Sequence, residues 1–205
     1  MICDRDEAPP LHIPTPSSSP RLRVLQRYHL ENYFLDENVL ARVFETLEPE
    51  GSWLRSPAAI RKCLRELAQK RIPYATALAT SSYIRAEAGN VDIMAKGCDQ
   101  LNIDQLVEQI LGRAAIERVR VSESLRNDAI EHYARRVART IQDSLDQDTD
   151  EWKHHTPGKA LFNMFADRVK LDAARLKTAY IICAQNQSES PFQEIIDIFA
   201  SFSST

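Results

Sequence analysis

The chain has 205 residues, 43% hydrophobic and 27% charged, with a formal net charge of -3. That is the profile of an ordinary globular protein, and it excludes a global basic field for nucleic acid. The four cysteines form no C-x-x-C pair, no apolar run reaches the length of a membrane span, and the acidic, proline-followed start is no signal peptide.

Cys3, Cys63, Cys98 and Cys183 are spread along the whole chain and read as small hydrophobes in a reducing, cytoplasmic compartment. Met1, Ile2 and Cys3 run straight into Asp4-Arg5-Asp6-Glu7. On a β-strand, positions i and i+2 point to one face, so Asp4 and Asp6 project together. Two carboxylates that close repel unless a cation or a proton sits between them. Hard oxygen donors at this spacing suit Mg²⁺ or Mn²⁺. The plainer reading is a solvated acidic terminus. Pro9, Pro10, Pro14, Pro16 and Pro20, with Ser17–Ser19, then predict a loop. Arg21 to Gln26 reads as a second short strand.

Asp36 is an N-cap, followed by Val39, Leu40, Val43, Phe44 and Leu47 on one helical face. Pro49 and Gly51 end that helix. Ser56-Pro57 opens the next, with Ile60, Cys63, Leu64 and Leu67 inward. Pro73 is expected to break or kink it, and Gly89-Asn90 to stop its continuation. Ile103, Leu106, Val107, Ile110 and Leu111 mark a further helix. Leu125, Ile130, Tyr133, Val137, Ile141 and Leu145 mark a long one, with Arg135, Arg136 and Arg139 on its polar side. An acidic cluster leads into Trp152-Lys153-His154-His155-Thr156-Pro157-Gly158-Lys159. Three shorter helices follow, around Leu161–Val169, Leu176–Ala184 and Phe192–Phe199. Trp53, Phe162, Met164 and Phe165 read as core, and His154 and His155 as surface. The expected class is α+β and mostly helical, with at most two strands. Residues 1–48 form an α/β segment and 49–205 a helical region. Two strands alone do not make a stable sheet, so further strands are expected from residues outside this chain or from a partner subunit.

Ile2-Cys3-Asp4-Arg5-Asp6, then Leu30-Glu31-Asn32-Tyr33-Phe34-Leu35-Asp36, then Pro157-Gly158-Lys159 resemble the TOPRIM domain of OLD-type (overcoming-lysogenization-defect-like) ATPase-associated nucleases of bacterial defence. The resemblance implies a partial TOPRIM-like edge and a metal-dependent DNA endonuclease or nicking module. It gives Asp4, Asp6 and Glu31 as ligands of Mg²⁺ or Mn²⁺, Glu31 and Lys159 as catalytic groups, and Lys159 on the phosphate. Arg135, Arg136 and Arg139 would follow the DNA backbone. The implied partners are DNA, an ATPase domain or subunit, and further copies of the chain, with no membrane. One departure bears on activity. The family's glutamate precedes the D-x-D, where this sequence has only Met1, Ile2 and Cys3, and no G-x-x-x-x-G-K-[ST] is present. The alternative from another class is a non-catalytic helical interaction or regulatory module that binds an ATPase partner or dimerises.

Overall fold

The computed structural model of the chain describes residues 2–3, 23–25, 27, 29–89, 102–147, 149–185, 187 and 190–203. The architecture is mostly helical. Ile2–Cys3 (β1) pairs in parallel with Arg23–Val24 (β2), in the register Ile2 to Arg23 and Cys3 to Val24. A 3₁₀ turn follows over Leu30–Phe34.

Helix α1 (Glu37–Glu45) starts where Asp36 caps it, its Oδ1 accepting from the Asn38 and Val39 N–H groups at 2.9 and 3.0 Å. Val39, Leu40, Val43 and Phe44 are buried, as their spacing requires. The helix ends two residues before the last position of its apolar pattern. Leu47 therefore falls outside it and is 57% exposed. Trp53, expected in the core, sits on a 3₁₀ turn (Trp53–Arg55) and is 41% exposed.

Helix α2 (Pro57–Gly89) is capped by Ser56, whose Oγ accepts from the Ala59 N–H. It runs for 33 residues without a break at Pro73. The proline removes the N–H that would bond the Gln69 carbonyl. Both positions are exposed, so water can serve that carbonyl instead. Helix α3 (Ile103–Ser124) begins in a reciprocal capping box between Asn102 and Gln105. Helix α4 (Asn127–Asp146) runs antiparallel to α2: Arg65 donates to the Leu145 and Gln147 carbonyls, Gln69 to Gln142, and Tyr83 stacks on Tyr133 at 4.2 Å. Leu125, expected within this helix, instead terminates α3 and is largely exposed.

The short α5 (Trp152–His155) leads to α6 (Gly158–Arg168), α7 (Ala173–Ala184) and α8 (Gln193–Ser203). Lys170 links α6 to α7 in the left-handed region, with φ 58, while the Leu171 N–H reaches back to the Ala166 carbonyl. That is the closing bond of a Schellman motif. The core gathers Phe34 with α1, α2 as far as Ala79, α4, α6 and α7. At its centre Phe34 meets Phe162, Tyr180 and Phe192 at centroid distances of 5.9, 5.3 and 5.2 Å. Phe162 and Phe165 are buried as expected, and Met164 packs against them partly exposed.

Candidate functional site

The 3₁₀ turn 30–34 carries Glu31, and the segment 153–158 ends beside Lys159. Asn32 locks these two stretches together. Its Oδ1 accepts from the His29 N–H at 2.8 Å and from the Gly158 N–H at 3.1 Å. Its Nδ2 donates to the Lys153 and Thr156 carbonyls at 2.6 and 3.0 Å. A buried amide offers two donors and two lone pairs, and all four are used. Asn32 is therefore structural, with nothing left for a ligand. Arg27 adds a bond to the Asn32 carbonyl at 2.7 Å and lies over the Tyr33 ring.

Beside this lock lies a buried charge network. Lys153 is 1% exposed. Its Nζ bonds Glu37 Oε2 and Asp150 Oδ2, each at 2.9 Å. Arg61 reaches the same two carboxylates at 3.4 and 3.1 Å. Two acids and two bases alternate, so the buried lysine is compensated in charge. Burial opposes ionisation of Asp150, but Lys153 and Arg61 outweigh it and hold the carboxyl below its usual range. Tyr33 donates its hydroxyl to Glu194, and Tyr180 donates to the Tyr33 carbonyl at 2.9 Å. Burial pushes both phenols well above their ordinary value, so both stay protonated donors.

Asp4 and Asp6 lie outside the described residues. Glu31 is held by Lys177 Nζ at 2.9 Å. Burial opposes its ionisation, the hydrogen bond and charge of Lys177 prevail, and the carboxyl lies below its ordinary value. Lys177 also sits over the Phe34 and Phe162 rings, which fixes it in place. A metal at Glu31 has to compete with that ammonium. Among the described residues no three His, Cys, Asp or Glu side chains converge on one point.

Lys159 is exposed on the first turn of α6, and its N–H points at His29 Nδ1. It lines a groove of about 390 Å³ with His29, Arg71, Tyr74, Asn163 and Asp167. Arg135, Arg136 and Arg139 do not line that groove. They are exposed on α4, with Arg135 paired to Glu131 at 2.8 Å and Arg136 over the Tyr133 ring.

Ile103, Leu106, Val107, Ile110 and Leu111, which mark a helix by their spacing, lie on α3. Leu106 and Ile110 are half-buried, but no residue of the 22 is fully buried. Ile103, Val107, Leu111 and Val119 are 72%, 47%, 64% and 63% exposed, and Ile116 also faces outward. The apolar positions form two flanks, with Leu106 and Ile110 on one and Val107, Leu111 and Ala115 on the other. Only the first set packs on the chain itself. A second apolar feature lies nearby. Ile72, Thr76, Thr80 and Ile84 of α2 line a groove of about 730 Å³ with Ala134 and Ala138 of α4. No protein-family model matches the chain, and no characterised protein or solved structure does either.

Proposed function

We propose that the chain is a non-catalytic helical interaction module whose contact surface is the outward face of α3. The observation that supports this reading is a well-capped helix of 22 residues with no buried residue and an apolar outer face. A contiguous exposed apolar patch on a globular protein marks a place where another molecule sits. The polar centre points the same way, because Asn32 and Lys153 spend their bonding capacity inside the chain. The test is photo-crosslinking in the native cell. A photoreactive residue at Val107 or Leu111 is expected to yield a discrete protein adduct, and one at Gln109 none. Absence of any adduct from both positions overturns the reading.

A second reading is a Mg²⁺- or Mn²⁺-dependent DNA-nicking module, regulated by an ATPase, with Asp4, Asp6 and Glu31 as ligands and Lys159 at the phosphate. One observation favours it. β1 and β2 pair in parallel, as strands do in the α/β sheets that collect ligands at their C-terminal edge. Calorimetric Mn²⁺ titration decides it. Saturable binding that is lost in both Asp4→Ala and Glu31→Gln supports the nuclease, and binding unchanged in either variant sinks it.

A further inference from the structure

Resting on the interaction reading, we infer that the occupant of the α3 face is a second copy of this chain, docked antiparallel about a two-fold axis at Leu111. The sequence of the face is symmetric about that residue. Ile103 and Val119 lie eight residues to either side of Leu111, and Val107 and Ala115 lie four to either side. A two-fold axis at Leu111 sets Leu111 against itself and brings Val107 toward the other copy's Ala115, while Ile103 and Val119 flank the contact about 80° to either side. Such self-complementarity is what an isologous contact demands, and a contact with an unrelated protein does not demand it.

The charges follow the same symmetry with opposite sign. Asp104 and Arg118 each stand seven residues from Leu111. Seven residues are nearly two helical turns, so Asp104, Leu111 and Arg118 fall on one line. The axis brings each Asp104 opposite the other copy's Arg118, giving two ion pairs per dimer. Neither residue has an ion-pair partner among the described residues. Glu108 has none either, whereas Glu117 pairs with Arg120 at 2.8 Å and Glu123 with Arg126 of the α3–α4 junction at 3.0 Å. Asp104 and Arg118 thus stand open on the line through Leu111, at equal distances from it. A parallel arrangement instead sets Asp104 against Asp104 and Arg118 against Arg118, which is repulsive.

Sedimentation equilibrium of the full chain at tens of micromolar tests this. A dimer is expected, and Leu111→Asp is expected to make it monomeric with an unchanged circular dichroism spectrum. Asp104→Arg and Arg118→Asp are each expected to weaken the dimer about tenfold, and the double exchange to restore it. That rescue keeps the inference testable even if Leu111→Asp disturbs the helix. A monomeric wild type, a dimer indifferent to Leu111→Asp, or a double exchange no tighter than the single ones overturns it. A monomer whose Leu111 photo-crosslinks to a different protein overturns the self-docking alone. A monomer with no adduct overturns the interaction reading as well.

Discussion

Asn32 and Gly158 meet more closely than any side chain at position 158 allows. A Cβ built on Gly158 lies 2.2 Å from Asn32 Oδ1, the oxygen that accepts the Gly158 N–H at 3.1 Å. The contact is to a buried side chain fixed by three other bonds, so it cannot swing away. Gly158→Ala must push apart the 3₁₀ turn and the start of α6. Overpacking of this kind costs about 1–3 kcal/mol, and a strained or broken buried hydrogen bond adds to it. Urea denaturation is expected to show a loss of at least about 2 kcal/mol. An unchanged midpoint refutes the close approach.

Lys153 is a second test, because its cost comes from what remains. Lys153→Met removes the cation and leaves Glu37 and Asp150 with Arg61 alone. Breaking a buried pair by deleting one member costs about 3–5 kcal/mol, whereas exposed pairs are worth at most about 1 kcal/mol. Lys153→Met should therefore destabilise much more than Arg135→Met, which breaks only the solvent-exposed pair with Glu131. Equal effects in chemical denaturation would show that Lys153 is not held in a buried network.

Glu31 gives the pH dependence. Its folded carboxyl lies below its ordinary value through the Lys177 bond, against the opposing effect of burial. A lowered folded pKa makes the contribution fully present above the unfolded carboxyl's pKa of about 4.3. It is lost as pH falls through the folded value. The unfolding free energy of the wild type should thus decline on acidification, and Glu31→Gln should decline less steeply over the same range. Thermal melts from neutral pH down to the acid limb check this. Parallel curves would mean that the Lys177 bond does not hold Glu31 in solution.

These three sites also show what a sequence reveals and what it hides. Asp36 and Ser56-Pro57 announce their helices because capping is local, set within three residues. The spacings of Val39, Leu40, Val43 and Phe44, and of Leu161, Phe162 and Phe165, mark faces that are buried. Asn32 reads only as a turn former, since its partners Lys153 and Thr156 are more than a hundred residues away. Lys153 looks like any surface lysine for the same reason, its acceptor Glu37 lying 116 residues distant. Periodicity likewise shows that α3 has apolar sides, but not which side its own chain covers. Asp4 and Asp6 lie outside the described residues, so the acidic edge rests on the sequence alone.

The α6–α7 junction allows a stabilising change. Lys170 holds a left-handed conformation, φ 58, at the position after a helix where glycine is usual. A residue with a Cβ pays about 1 kcal/mol there. Lys170 is exposed, so little packing is lost on its removal. Lys170→Gly recovers that strain, less the entropy that glycine adds to the unfolded chain, and should stabilise by about 0.5 kcal/mol. A destabilised variant in the same denaturation assay would mean that the junction is not left-handed.

Pro73 sets two effects of opposite sign against each other. Inside α2 it deprives the Gln69 carbonyl of its helical partner and crowds it with the pyrrolidine ring, a cost of about 3 kcal/mol relative to alanine in a helix interior. It also restricts the unfolded chain, which returns up to about 1 kcal/mol. The exposure of both residues lets water bond the carbonyl, which lowers the helical cost further. The helical term still outweighs the unfolded-state term, so Pro73→Ala should stabilise the chain by about 1–2 kcal/mol. Amide hydrogen exchange offers a local check, with slower exchange expected over residues 70–77, around the restored bond. Faster exchange there, or a lower melting temperature, would mean that α2 needs a bend at Pro73 to pack along α4.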